Sequence, residues 1–551
     1  MQHLIFLGRQ SWTLLVFALL SSLLAGSSIA GTMTILDWGI REPSQWRKVC
    51  LVLLVACALQ FAMQIMSTRL LLTVSHSALL ELRLQLCRRI LASPQEALQK
   101  IGKARLLAVL THDATTLVNA YQAAIIFIRS LVVIALAVLY LATISWVFAA
   151  VTAGTLSIGM VLIHYLTTVL TPQLVRLRES VDNLYVYLKQ LTDGTKELQL
   201  NEQRSKHLID VIINSVAGQI SNQSISALSR FEAVSSFGEI IYFLGVGMTL
   251  FLLPQLSFVS QNDVGSVAIV LLFMSTSIST ALQLLPSLGS ARTSLDKIEL
   301  LTKELPTDVE TPAAPTRKTV RPERFDLKLE KIKYVYAWDL DRQFQFGPID
   351  LNLRSGEIVF VVGGNGSGKS TLAMLVTGLY TATSGQITLN GISLTNEDRH
   401  QYRQNFSAIF SDFHLFDYFA EENGELSSQV PPLLDKLSLS KKVTADGSRF
   451  STVDLSAGQR KRLALLHAYL EDRPCFIFDE WAADQDPDFR RFFYRQLLPE
   501  LKARGKAIIA VTHDDAYFDC ADRILRLEDG KMTAEYVAPA DRDKIAEEKL
   551  S

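Results

Sequence analysis

A chain of 551 residues exceeds one ordinary hydrophobic core, and its 49% share of hydrophobic residues is high for a soluble protein of that length. The formal net charge of −1 supplies no basic field, which argues against nucleic acid as a partner. Five cysteines (Cys50, Cys57, Cys87, Cys475, Cys520) are scattered without CxxC spacing, so free thiols are expected, with neither zinc nor disulfides.

Residues 1–303 read as a membrane domain of helices. A helix needs about 20 mainly apolar residues to cross the hydrocarbon core. Six runs qualify: 11–33, 49–70, 122–145, 147–170, 238–258 and 264–286. The first also offers a small-residue "SSIAG" cleavage site. Its long apolar run, preceded only by Arg9 as a basic residue, favours a retained span over a cleaved signal peptide.

Orientation follows from the loops. Segment 68–120 carries Arg69, Arg83, Arg88, Arg89, Lys100, Lys103 and Arg105, and segment 171–237 adds Arg176, Arg178, Lys189, Lys196, Arg204 and Lys206. Both are therefore expected in the cytosol, with the chain termini on the same side. The short "SW" turn at 145–146 and the loop "PQLSFVSQNDVGS" carry no Lys or Arg and suit the outside. Loop 34–48 fits less well, because Arg41, Arg47 and Lys48 are only partly offset by Asp37 and Glu42. Within 101–121, Leu106, Leu107, Leu110 and Leu117 recur at helical spacing. That pattern suits helices extending the spans into the cytosol as levers, or simple packing helices.

Polar residues inside spans are costly and are functional candidates by default. Arg129, His164 and Glu239 fall toward the cytosolic leaflet, and "STSIST" places Ser275 and Ser279 within the sixth span. They are candidates for contacts with a transported substrate. The alternative is snorkelling for the ionisable groups, and hydroxyls bonded to their own helix. Residues 304–323 combine four prolines with charges and no apolar period, and read as a linker.

Residues 324–551 carry the chemistry. Gly363, Gly364, Asn365, Gly366, Ser367, Gly368, Lys369 and Ser370, followed by Thr371, match G-x-x-x-x-G-K-[ST] between a strand-like "GEIVFVV" and a helix-like "STLAMLVTGL". The glycines let amides point at phosphate oxygens, Lys369 neutralises the β and γ phosphates, and Ser370 can ligate magnesium. The predicted strand "CFIFDE" ends in Asp479, placed to hold Mg2+, and Glu480, placed to polarise an attacking water. Ahead of it, Ser456, Gly458 and Gln459 of "LSAGQ" open a helix with amides aimed outward.

With these residues the chain resembles an ABC transporter of the exporter type: "LSAGQ" is one residue from the LSGGQ signature, "CFIFDEWAADQDP" is similar to Walker B plus D-loop, and "VTHDD" to the switch-histidine strand. The resemblance implies a six-helix membrane domain followed by an α/β P-loop ATPase, ATP and Mg2+ as cofactors, and a homodimer. In that dimer, Ser456 and Gly458 of one subunit complete the site built by Lys369, Asp479, Glu480 and His513 of the other. It also implies that Tyr336 stacks on adenine and that Asp486 communicates between the sites. Where the family carries the Q-loop glutamine, this chain has Ser411 and Asp412, and Asp412 is a candidate to approach the metal instead.

A finer likeness, carried by 177–201, 363–380 and 479–494 with Trp481 directly after the catalytic pair, is to the cyclic-peptide export branch. It implies a multi-pass protein of the bacterial inner membrane that moves a cyclic or non-ribosomal peptide, such as a pyoverdine-type siderophore precursor, out of the cytosol. Periplasmic or outer-membrane partners would extend the route. Lipid flipping, multidrug export and a regulatory ATPase without transport are the alternatives.

Overall fold

The structure, a computed structural model, describes residues 2–256, 263–305, 324–336, 344–419 and 427–537. Most of the expected linker, from 306 onward, lies outside the described residues, as does part of the loop before the sixth span. The chain forms two compact units: Met1–Arg88 with Lys103–Glu304, and Arg89–Gly102 with Leu305–Ser551.

The first unit is helical. In chain order the helices are α1 (Gln2–Arg41), α2 (Trp46–Ala92), α3 (Gln95–Ile101), α4 (Lys103–Ala108), α5 (Ala114–Ile144), α6 (Trp146–Asp193), α7 (Thr195–Leu200), α8 (Glu202–Lys206), α9 (Asn214–Gly247) and α10 (Val264–Glu304), of which α3 belongs to the second unit. Among the described residues, six helical stretches are long and apolar enough to cross a membrane. Each corresponds to one expected span. The helices outrun the spans: α2 has 47 residues, about 70 Å of helix against a hydrocarbon core of about 30 Å.

Hydrocarbon as solvent explains why α2 turns Leu51, Leu54, Val55 and Phe61 outward. Bundle contacts run between α5 and α10, α6 and α9, and α1 and α5. Met33, Leu141, Phe148, Val267 and Met274 are buried among them. The cytosolic extensions are tied by polar contacts. Arg83 of α2 donates to Leu110 O at 3.2 Å and Thr115 Oγ1 at 3.1 Å, and Ser294 of α10 donates to Asp113 at 3.2 Å.

Of the awkward charge in loop 34–48, that of Arg41 is neutralised locally. Arg41 Nε donates to Asp37 Oδ2 at 2.9 Å and to Ser266 Oγ at 3.2 Å, and Tyr140 Oη donates to Asp37 Oδ2 at 2.6 Å. This cluster joins the outer ends of α1, α5 and α10.

In the second unit the strands are β1 (Asp326–Val335), β2 (Gln345–Arg354), β3 (Ile358–Val362), β4 (Ser384–Leu389), β5 (Ile392–Ser393), β6 (Phe406–Ile409), β7 (Ala445–Asp446), β8 (Arg449–Phe450), β9 (Cys475–Asp479), β10 (Ala507–Val511), β11 (Arg523–Glu528) and β12 (Lys531–Val537). The helices are α11 (Lys369–Val376), α12 (Arg399–Arg403), α13 (Val430–Lys436), α14 (Ala457–Glu471), α15 (Pro487–Phe492) and α16 (Leu498–Ala503). A six-stranded sheet runs β12-β11-β3-β10-β9-β6, parallel throughout except for β12. An antiparallel sheet runs β2-β1-β4-β5.

The parallel strands are apolar on both faces because each face is covered. In β3, Ile358 and Phe360 enter one core while Val359 and Val361 enter the other. This is the two-residue alternation of a strand. The carboxyl ends of β3, β9 and β10 therefore lie side by side, where open α/β sheets bind ligands.

Candidate functional site

The phosphate loop leaves the carboxyl end of β3 and enters α11. Gly368, with φ of +100°, precedes the helix, and a Cβ there would stand 2.6 Å from the Phe346 ring. Gly363, at φ +150°, would drive a Cβ to 2.2 Å from Leu527 O. Only glycine fits either position. Gly364, Asn365 and Gly366 are exposed along the loop, and Ser367 is buried, its backbone closing a turn to Gly364 O at 3.3 Å. Lys369 is buried and donates to the carbonyls of Gly363 and Gly364, both at 2.9 Å.

From the next strand ends come the acidic and histidine groups. Ser370 Oγ donates to Asp479 Oδ2 at 3.0 Å. Burial lifts the Asp479 carboxyl above the usual carboxylate range, against the pull of the bonds from Ser370 and the Ser411 amide. A hydroxyl and a carboxylate at this distance beside Lys369 form an oxygen donor pair that fits a hard cation such as Mg2+.

Glu480 follows β9 in left-handed backbone conformation at φ +52°, its amide donating to Val511 O at 3.1 Å and its carbonyl accepting from Lys461 Nζ at 2.7 Å. This anchors the backbone and leaves the side chain half-exposed, 3.4 Å from His513 Nε2. Behind it Trp481 is buried, stacked on Phe493 at 4.4 Å, its indole N–H donating to Lys461 O at 2.8 Å. The unusual tryptophan is thus a core anchor for the turn that carries Glu480.

The signature segment is held by a capping box. Ser456 Oγ accepts from Gln459 N at 3.5 Å, and Gln459 Oε1 accepts from Ser456 N at 3.3 Å. Gly458 stands so close to the following loop that a Cβ would meet Asp484 O at 2.8 Å. Its carbonyl accepts from Gln485 at 3.1 Å. Asp486 caps α15 through Phe489 N at 2.9 Å and also pairs with Arg462. The Phe489 amide and then Arg462 hold its carboxyl below the usual range. Arg462 and Gln485, which sequence spacing did not single out, tie the signature helix to the loop carrying Asp486. Their partners lie 23 to 27 residues away, beyond any local pattern.

Tyr336, just past β1, places its hydroxyl 2.9 Å from Thr371 Oγ1, beside the phosphate loop. Its ring meets Tyr334 edge-on at 4.9 Å. Ser411 and Asp412 are both exposed, and Ser411 reaches Asp479 through its backbone amide. Its side-chain identity is therefore not what makes that contact.

The membrane candidates are spread over α5, α6, α9 and α10. Arg129 is half-buried on α5, with its carbonyl 3.5 Å from where a Cβ of Gly26 would stand. Glu239 is half-buried on α9, and the His164 side chain lies outside the described residues. Ser275 Oγ donates to Leu272 O at 2.7 Å, and Ser279 Oγ accepts from Gln283 at 3.3 Å. Hydroxyls bonded within their own helix were the alternative that the sequence left open.

Residues 10–282 match the family of the ABC transporter transmembrane region, and residues 346–483 match the ABC transporter family. ATP-binding protein SyrD of Pseudomonas syringae pv. syringae is 33% identical over 531 residues, 94% of each chain. The chain is an ABC transporter. The exporter shares its fold with a solved structure of a bacterial Atm1-family ABC exporter with ATP bound, at a TM-score of 0.75 and 14% identity over 98% of this chain and 100% of that one. An ATP-dependent lipid A-core flippase of Haemophilus influenzae is 23% identical over 480 residues, 83% of this chain and 79% of that one. This ABC exporter is a half-transporter: a multi-pass membrane protein whose cytosolic ATPase domain hydrolyses ATP in a cycle coupled to transport.

Proposed function

We propose that the exporter works as a homodimer in the bacterial inner membrane and moves a cyclic or non-ribosomal peptide from the cytosol outward by alternating access. Export is carried by one observation: Lys369, Asp479, Glu480 and His513 are gathered at adjoining strand ends in a chain that also supplies six candidate spans. A degenerate regulator would not need an intact hydrolytic set. The peptide cargo is supported by the likeness of 177–201, 363–380 and 479–494 to the cyclic-peptide export branch, and by the full-length relation to SyrD.

In the cycle, Lys369 and the loop amides hold the β and γ phosphates, Glu480 takes a proton from the attacking water, and His513 beside it steadies the γ-phosphate. Mg2+ held by Ser370 and Asp479 would supply neutralisation of phosphate charge. Ser456 and Gly458 of the partner subunit would close the site, and Tyr336 would stack on adenine. Helix closure on one side and opening on the other then carry the cargo.

Two measurements test this reading. Proteoliposomes should show ATP-dependent peptide movement, and a deletion strain should retain a non-ribosomal peptide in the cytosol, most plainly a pyoverdine-type precursor. Arg129→Ala should lower export while basal ATP hydrolysis survives. Normal peptide secretion in the deletion strain, with no redundant exporter present, would transfer the assignment to lipid flipping, for which the relation to the Haemophilus influenzae flippase is the specific support.

A further inference from the structure

Lys461 on α14 is a buried lysine, 6% exposed, that takes no part in the cycle of Lys369, Asp479, Glu480 and His513. Its Nζ donates to the Glu480 carbonyl at 2.7 Å and pairs with Asp484 Oδ2 at 2.7 Å, while its own carbonyl accepts the Trp481 indole N–H at 2.8 Å. One residue thus grips the turn after β9 at three points. Lysine is rarely buried unless paired, and an apolar side chain of similar volume in place of a buried ion pair is often neutral or stabilising. Packing alone does not account for an ammonium here.

What the ammonium touches is the backbone of the residue placed to polarise water. Glu480 stands at φ +52°, in the left-handed region that a non-glycine residue keeps only where surrounding contacts hold it. Two anchors flank its Cα: the Glu480 amide donates to Val511 O at 3.1 Å, and the Glu480 carbonyl accepts Lys461 Nζ. The bond that this carbonyl accepts within the turn, from the Ala483 amide, is longer at 3.4 Å. The next residue of α14 grips further along the chain. Arg462 bonds Gln485 at 2.9 Å, pairs with Asp486 and lies 3.7 Å from the centre of the Phe489 ring. Lys461 is therefore the contact through which α14 reaches the backbone of Glu480 itself, whose carboxylate stands 3.4 Å from His513.

We propose that Lys461 is a positioning residue for ATP hydrolysis: its bond to the Glu480 carbonyl holds the left-handed turn that aims the Glu480 carboxylate at the attacking water. The inference deepens the reading of Glu480 as the base and rests on it.

The test compares the full-length protein with Lys461→Met, which keeps the stem and removes the donor. Its kcat should fall about tenfold or more, as misplacing a reacting group by less than about 1 Å can do, with KM for ATP within about twofold of wild type and no fall in melting temperature. Lys461→Gln, whose amide ends one bond short of Nζ, should lose kcat in the same way and replaces the Met variant if that protein does not fold. Asp484→Asn loses the ion pair and leaves the carbonyl bond, so its kcat should stay within about twofold of wild type. Adding Lys461→Met to Glu480→Gln separates positioning from packing: residual single-turnover hydrolysis should not change, because no base remains to be aimed. A kcat within about threefold of wild type in both Lys461 variants overturns the proposal, and so does a further drop of the same factor in the Glu480→Gln background. A loss of about tenfold in Asp484→Asn overturns it too, since the ion pair then carries the effect. Near-normal turnover in Glu480→Gln defeats the reading of Glu480 as the base, and the proposal with it. An inactive Glu480→Gln beside a normal Lys461→Met defeats the positioning role alone.

Discussion

Ser370 and Asp479, 109 positions apart in sequence, are joined by a 3.0 Å hydrogen bond between the start of α11 and the end of β9. Asp479 also accepts from the amide of Ser411, at the position where the family carries glutamine. An amide contact survives any side chain except proline. Ser411→Ala should therefore leave cargo-stimulated ATPase activity near wild type, while Asp412→Ala should lower it, if the exposed carboxylate works near the metal as the sequence suggests. Stimulation curves for the two variants measured side by side decide the matter, and equal, near-normal curves would move the coupling role elsewhere.

Glu480→Gln should abolish turnover by removing the base, yet retain ATP and trap a closed dimer. Lys369→Ala should weaken nucleotide binding itself. The contrast is read by nucleotide affinity and by crosslinking of the two ATPase domains under ATP. Substantial steady-state hydrolysis by the Gln variant would remove Glu480 from its role.

Much of this architecture is legible in the sequence because its signals are local. The spans are runs of hydropathy, and the phosphate loop is a spacing of glycines fixed by two close approaches, Gly363 to Leu527 O and Gly368 to Phe346. What was not legible depends on distant partners. Nothing in "SPQEALQKIG" announces that α3 leaves the helical unit and docks beside Tyr380. By contrast Asp37 and Arg41 sit at i,i+4 spacing, so the neutralisation of that outer charge was half-readable. Trp481 is odd in the sequence, but its role as a buried anchor rests on Phe493, a non-adjacent residue stacked against it.

Trp481→Ala should destabilise the ATPase domain by about 3–5 kcal/mol, the range for truncating a buried aromatic. It should also reduce kcat, because the turn that carries Glu480 loses its anchor. Trp481→Phe keeps much of the packing and loses the bond to Lys461 O, so it should fall between the two. Thermal unfolding and ATP turnover should rank the three proteins in the same order; a normal melting temperature for the Ala variant would contradict the buried-anchor assignment.

At the outer end of the helical unit, Asp37 is buried, and its Oδ1 has no hydrogen-bond partner among the described residues. Arg41→Ala leaves that carboxylate with Tyr140 as its remaining donor and should cost about 1–3 kcal/mol. Adding Asp37→Asn should recover part of the loss, since the uncompensated charge is gone. Melting temperatures across the four proteins of this double-mutant cycle give the coupling directly, and strict additivity would mean that the pair does not interact.

Helix α3 is part of the same compact unit as the ATPase sheets. Glu96 Oε1 accepts the Thr381 amide at 2.7 Å, and Gln99 Oε1 accepts the Tyr380 hydroxyl at 2.8 Å. Tyr380 stacks on Tyr334 at 5.0 Å, and Tyr334 meets Tyr336 edge-on at 4.9 Å. The ring expected against adenine also meets Tyr380 directly, edge-on at 6.1 Å, and so lies one aromatic contact from a residue bonded to α3, a helix that the chain enters directly from α2 and leaves directly into α4. Burial, reinforced by Tyr336, pushes the Tyr380 hydroxyl up to about 12, so it remains a donor to Gln99 throughout the working pH range. If docking of α3 carries nucleotide closure to the membrane helices, Glu96→Ala with Gln99→Ala should leave basal ATP hydrolysis near wild type and cut transport and cargo stimulation by an order of magnitude or more. Tyr380→Phe, which keeps the stack and loses the bond to Gln99, should cost less than Tyr380→Ala. Transport falling only in proportion to basal hydrolysis in every variant would reduce the contact to packing.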